Sequence, residues 1–176
     1  MSTAPHTYHT LYTPEQKARR DASGWTLVQG VLAPVQFLVF LISLWLVIRC
    51  LITGEGESIA LGSVVVKTLV LYTIMVTGCI WEKVVFDKYL FADAFFWEDV
   101  FSMLVLALHT AYLVAWWTGS LTAEEQLWLA VAAYVTYCIN AGQFVWKLRA
   151  ARLQAAAMAK DSAHVPANLL QQGEAA

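Results

Sequence analysis

The sequence predicts an all-α integral membrane protein: a four-helix bundle, up-down-up-down, with both termini cytoplasmic. Three observations carry that expectation. Hydrophobic residues fill 59% of the 176 positions and charged residues only 14%, with a mean hydropathy of +0.57. A soluble domain has about 45–50% apolar and about 25% charged residues. Four long apolar stretches follow one another, against the roughly 20 residues needed to cross about 30 Å of hydrocarbon. Finally, 9 of the 11 basic residues (Lys17, Arg19, Arg20, Lys83, Lys88, Lys147, Arg149, Arg152 and Lys160) lie before the first stretch, between the second and third, or after the fourth. Basic residues concentrate on the cytoplasmic side. Arg49 alone marks the other side, and the third-to-fourth connection has Glu124 and Glu125 but no basic residue.

Residues 1–24 read as a cytoplasmic tail with a short surface helix. The first 12 residues are polar and expected to be disordered. Thr13-Pro14-Glu15-Gln16 is a helix start, with Thr as cap, Pro at the first position and Gln three residues on. Trp25 then suits the membrane interface. The N-terminus does not resemble a signal peptide, because a charged helix-former comes first and the apolar run behind it is too long.

The membrane domain is expected over 25–146. No charge interrupts the 27 positions between Asp21 and Arg49, which gives a first span of about 25–50. Pro34 is expected to kink it, and Gln29 and Gln36 share a face. The second span, about 59–81, contains Lys67, and the third, about 96–117, contains His109. The fourth, about 126–146, contains Asn140 and Gln143. Short connections make neighbours antiparallel. Residues 147–176 read as a basic cytoplasmic helix followed by a disordered tail. Internal repeats are not evident.

Polar groups within spans are costly and usually functional. One set gathers at the cytoplasmic end: Glu82 where the second span leaves, Asp93, Glu98 and Asp99 around the start of the third, and Ser102 one turn on from Glu98. Gln29 and Gln36 from the first span and Asn140 and Gln143 from the fourth occupy the same half. A carboxyl in a low-dielectric pocket has its charged form disfavoured, so it stays available as an acid near neutral pH. The structural alternative is that Glu98 and Asp99 only complement a helix dipole and that Glu82 pairs with Lys83 at the interface.

A second set lies deeper. Lys67 and His109 are each eight residues from the outer end of their spans, about 12 Å down at 1.5 Å per residue. Tyr134 and Ser43 fall near the same depth, which allows one polar layer with no acid to neutralise Lys67. Alternatively Lys67 snorkels outward and His109 makes a packing hydrogen bond.

Several classes are excluded. A single intramembrane histidine cannot supply the paired axial ligands of a diheme cytochrome. No phosphate-binding Gly-rich loop, HExxH helix or GxSxG elbow is present, nor the broken helices and paired half-repeats of transporters. Cys50, Cys79 and Cys138 show no metal-ligand spacing and read as small packing residues. A net charge of −2 gives no sign of a nucleic-acid partner. The 8 Trp, 7 Tyr and 8 Phe suit a flat aromatic ligand and interfacial belts equally.

The run LYTPEQKARRDASGWTLVQGVLAPVQFLVFL resembles the opening of the bacterial 3-vinyl (also numbered 2-vinyl) bacteriochlorophyllide hydratases. LVLYTIMVTGCIWEKVVFDKYLFADAFFWEDVFSMLVLALHTAYL is similar to the same family, as is INAGQFVWKLRAARL, its fourth span and exit. The resemblance covers about residues 11–155. It implies a hydro-lyase of bacteriochlorophyll biosynthesis in the bacterial inner, photosynthetic intracytoplasmic membrane. Such an enzyme adds water across the 3-vinyl group of a chlorophyllide or bacteriochlorophyllide to give 1-hydroxyethyl, which a separate dehydrogenase oxidises to acetyl. Neighbouring pathway enzymes are plausible partners beside the pigment, water and the lipid bilayer.

That reaction needs no redox cofactor and no metal beyond the substrate's magnesium. An acid protonates the terminal carbon, the ring delocalises the positive charge at the inner carbon, and a base assists water. The candidates are Glu98 as acid and Glu82 or Asp99 as base. Asn140, Gln143 and Gln36 are expected to line the substrate site. His109 is a candidate ligand for the substrate's magnesium, and Lys67 for its propionate, though both sit about 15–20 Å from Glu98 along the helix. The rival reading is a non-catalytic pigment carrier or assembly factor, which needs the aromatics and His109 but not the acids. A small proton or ion conductor built on Lys67 and His109 ranks below both.

Overall fold

The computed structural model describes residues 11–164, and five helices account for most of them: α1 (Pro14–Ala22), α2 (Gly24–Thr53), α3 (Glu57–Phe86), α4 (Phe96–Thr118) and α5 (Ala123–His164). No strand occurs among the described residues. The tails expected to be disordered lie largely outside them. α2, α3, α4 and residues Ala123–Leu153 of α5 are each long and apolar enough to cross a membrane. Only 22–28% of the most apolar stretch of each is buried. The outward faces are nonetheless apolar: Ile52, Trp117 and Leu27 are 79%, 83% and 72% exposed, a pattern suited to a hydrocarbon solvent.

The helix ends follow from local chemistry. At α1 the Thr13 hydroxyl accepts from the Gln16 amide (3.2 Å), and the Gln16 side chain accepts from the Thr13 amide (2.9 Å), a reciprocal capping box. Ser23 then serves two helices, closing α1 and capping α2 by accepting from the Trp25 amide at 3.2 Å. α2 and α4 stop at Gly54 and Gly119 with φ of 72° and 62°, a conformation glycine adopts without steric cost. α3 ends at Asp87, also left-handed (φ 64°), where the Lys83 ammonium donates to its carboxylate at 2.6 Å. Pro34 lies inside α2, which runs on through it.

By its contacts the chain divides into residues 12–142 and a second unit that includes everything from Gln143 onward. Within the first, polar pairs tie α2 to α3 while residue numbers rise along one and fall along the other. The Trp81 indole donates to Thr26 (3.0 Å), the Gln29 amide donates to Thr77 (2.8 Å), and Ser43 bonds Ser63 (2.7 Å). The apolar core holds Val47, Val64, Val105 and Ala130, all 0–1% exposed, with Phe40 against the rings of Tyr134 and Tyr137.

Ser43 also bonds the Tyr134 hydroxyl at 2.6 Å, joining α2 to α5. Interhelical hydrogen bonds inside membranes average about 0.6 kcal/mol and reach about 1.7. Tyr134→Phe is expected to destabilise the protein by about 1 kcal/mol, read as a lower midpoint when SDS is titrated into mild detergent. An unchanged midpoint would leave the Ser43–Tyr134 bond without energetic weight.

Candidate active site

Where the α3–α4 connection joins its two helices, three acids are buried: Glu82 near the end of α3, and Glu98 and Asp99 in the first turn of α4, at 7%, 7% and 4% exposure. Their burial has a local cause. Trp81, Phe86 and Phe95 pack edge to face with centroids 5.7–5.9 Å apart, and Tyr12, just ahead of α1, stacks on Phe86 at 5.7 Å. Val85 and Ala92, both nearly solvent-free, extend this apolar cluster at the same helix ends as the carboxyl groups. Arg20 lies over the outer face of Tyr12, 4.7 Å from its centroid.

The connection itself turns its backbone donors onto the acids. The Phe91 amide donates to Asp99 Oδ2 at 2.7 Å, and the next amide, of Ala92, to Glu82 Oε2 at 3.5 Å. Phe91 has φ 58°, a left-handed conformation that is uncommon for a bulky residue. The Glu82 and Asp99 carboxyls lie within electrostatic and hydrogen-bonding reach of each other, and a bond between them requires a proton on one. The Cys79 thiol, one turn before Glu82, is within electrostatic reach of both. Asp93, also considered from the sequence, instead pairs with Lys88 at 3.1 Å and is 96% exposed at its side chain.

Ser102, one turn along α4 from Glu98, accepts from Asn140 Nδ2 of α5 at 2.8 Å. Asn140 Oδ1 is buried with no hydrogen-bond partner among the described residues, and so is Gln36 Oε1 on α2. Gln143 is half-buried in the second unit.

The deeper set also comes together. Lys67, fully buried, reaches His109 Nε2 at 2.6 Å, while His109 Nδ1 faces the Val105 carbonyl at 2.8 Å. Nδ1 therefore carries the imidazole proton and Nε2 accepts from the amine. The amine lies over the rings of Tyr137 (4.2 Å) and Tyr134 (5.5 Å) and does not snorkel. No carboxylate pairs with it among the described residues. A hollow of about 310 Å³ lined by Leu113, Trp116, Trp117 and their neighbours lies at the other end of α4 from the acids, and its lining has no titratable group.

Sequence reasoning missed four participants. The Phe91 and Ala92 amides left no trace in residue type, and the significance of Cys79 depends on a pairing known only in three dimensions. Tyr137 was findable, since it shares a helix face with Tyr134.

Comparison with known proteins supplies the family. The family model for 2-vinyl bacteriochlorophyllide hydratase matches residues 12–150. The chain is 67% identical over 146 residues to the protein of that name from Rhodobacter capsulatus, covering 83% of this chain and 85% of the relative. It is 67% identical over 150 residues to that of Cereibacter sphaeroides, covering 85% and 92%. No solved structure matches the chain. A match of this length, spanning the buried acids and all four long apolar helices, means that the chain belongs to the 2-vinyl bacteriochlorophyllide hydratase family.

Proposed function

We propose that this protein hydrates the 3-vinyl group of chlorophyllide or bacteriochlorophyllide to 3-(1-hydroxyethyl) in bacteriochlorophyll biosynthesis, with Glu98 as acid and the Glu82–Asp99 pair as base. The observation that carries the residue assignment is the burial of three acids at the end of α3 and the start of α4, two of them within hydrogen-bonding reach of each other. Like carboxyls that close cannot both ionise readily. A pair holding one proton has room for one more, which is what a base assisting water needs. The short bond from Phe91 marks Asp99 as the charged partner, and Glu82 as the one holding the proton. Glu98, on the next position of the same turn, supplies the proton for the vinyl terminus.

The topology that serves this chemistry is an up-down-up-down bundle with both termini cytoplasmic. The opposed numbering of the α2–α3 pairs and the grouping of basic residues support it. The acid end then faces the cytoplasm, so water reaches the carboxyls while the macrocycle rests against apolar side chains in the inner membrane. Roles for His109 on magnesium and Lys67 on the propionate call for an opened Lys67–His109 contact, since each is the other's partner here. Asn140 and Gln36 remain candidates for lining the substrate site, and Gln143 lies in the second unit.

The test is a pigment assay. Membranes containing this protein and no other pathway enzyme are incubated with a 3-vinyl chlorophyllide in water enriched in heavy oxygen. The expected product is heavier by one labelled water. Pigment that co-purifies unchanged would establish a carrier instead, and neither conversion nor binding would defeat both readings.

A further inference from the structure

Four buried carboxamide oxygens lack a hydrogen-bond partner among the described residues, those of Gln36, Gln126, Asn140 and Gln143, and two of them, on α2 and α5, fall near the acids within residues 12–142. Gln36 and Asn140 are 4% and 8% exposed, and the Oε1 of one and the Oδ1 of the other lack a hydrogen-bond partner among the described residues. A buried acceptor left unpaired costs about 1–3 kcal/mol. Two in one region indicate a site whose occupant donates hydrogen bonds.

Their placement follows from the packing of α2 on α5. Phe40 meets Tyr137 with centroids 4.8 Å apart, and Ser43 bonds Tyr134. One turn from Phe40 toward the acid end is Gln36, and the same register brings it opposite the turn of α5 that holds Asn140. Asn140 is held in turn by its bond to Ser102, one turn from Glu98 and Asp99. The acceptors therefore lie about 5 Å along α4 from the acids, close enough for a molecule between them to exchange a proton with the carboxyl pair.

We propose that Gln36 and Asn140 are positioning residues that hold the water which adds to the vinyl group. This rests on the hydratase reading. A water donating both hydrogens to two carbonyl oxygens turns its lone pairs away from them, toward the carbon it attacks. In the step, Glu98 gives its proton to the terminal vinyl carbon, and the π electrons form that C–H bond. The inner carbon, left electron-poor, accepts a lone pair of the held water, forming the C–O bond. Once the C–O bond has formed, the protonated hydroxyl swings one hydrogen from its carboxamide acceptor to the Glu82–Asp99 pair. That O–H bond breaks as the pair takes the proton, and the other hydrogen stays on the new hydroxyl. Transfer of one proton from the pair back to Glu98 restores the resting state, with no oxidant or reductant consumed. Because the water is fixed on one side of the vinyl plane, the new stereocentre forms with a single configuration.

The experiment measures turnover, pigment affinity and the epimer ratio of the 3-(1-hydroxyethyl) product for the wild type, Gln36→Met, Asn140→Leu and Asn140→Asp in the full-length membrane-inserted chain. Gln36→Met removes the acceptor at nearly constant volume and places an apolar side chain inside a bilayer helix, so insertion is preserved. The wild type is expected to give one epimer. Gln36→Met and Asn140→Leu are expected to keep pigment affinity, to lose about 100-fold in turnover, as a displaced reacting group does, and to give epimers approaching one to one. Asn140→Asp retains an acceptor and restores the ratio. A packing role would slow the reaction without moving the ratio. Turnover lost below detection with affinity intact also upholds the water site, whereas an unchanged ratio, lost affinity, or a wild type that makes both epimers equally overturns it. Absence of any hydroxyethyl product from the wild type would defeat the hydratase reading first, and this inference with it.

Discussion

Glu98→Gln lowers turnover by about 100- to 10,000-fold, the usual contribution of a positioned general acid, while the protein inserts and binds pigment as before. The substitution keeps size and hydrogen-bonding shape and removes only the transferable proton. Glu82→Gln acts differently although it is equally isosteric. Its new amide still donates to Asp99, preserving the pairing, but it can no longer exchange a proton with the reacting water. Asp99→Asn removes the charge that accepts the 2.7 Å bond from Phe91, so it disturbs the connection as well as the chemistry. The predicted order is therefore a clean loss in kcat for Glu98→Gln and Glu82→Gln, and a loss in both kcat and thermal stability for Asp99→Asn. Each is measured by product formation per mole of inserted protein. Wild-type rates in Glu98→Gln would remove it from the mechanism, and wild-type rates in all three would leave the acids structural and favour pigment carriage.

The second large effect concerns stability. His109→Leu is expected to destabilise the protein by about 3–5 kcal/mol, because it leaves a buried amine without its acceptor. Lys67→Met in the same chain is expected to recover most of that loss, since replacing both members of a buried polar pair by apolar groups of similar size is often neutral. Tyr134 and Tyr137 would then pack their ring faces on the thioether that replaces the amine. The double-variant cycle is measured by SDS titration in mild detergent, and additive losses would mean that the 2.6 Å contact couples nothing. The double variant also tests the substrate roles considered for these residues. An unchanged KM is expected if the layer is structural, while a markedly higher KM would place Lys67 on the substrate's carboxylate.

Much of this was readable from residue order. Four helices follow from runs that offer neither charge nor helix stop, and the Thr13 cap from its Pro and Gln neighbours. Lys67, His109, Ser43 and Tyr134 were readable as one layer because depth in a membrane helix is arithmetic on distance from the span ends. Contacts that depend on azimuth and on loops were not. Gln29 and Gln36 share a face of α2, yet Gln29 bonds Thr77 of α3 while the Gln36 side-chain oxygen is buried with no partner among the described residues. The Glu82–Asp99 pair was out of reach for the same reason, since it forms only because residues 87–95 fold the end of α3 against the start of α4. The left-handed Phe91 in that segment is marked by no Gly or Asn.

Phe91 has a mechanical consequence. Holding a bulky residue at φ 58° stores about 1–3 kcal/mol, and the hydrogen bond to Asp99 is what offsets it. The connection is thus a tensioned spring whose latch is a carboxylate charge. In the proposed cycle the acid pair takes up a second proton, and that protonation would weaken the latch and leave the spring less reason to stay wound. It tightens again only when that proton has left. In that cycle proton inventory and backbone shape are linked in one small segment, so the proton uptake that forms the product also loosens the connection beside the acids, and return of the proton to Glu98 tightens it.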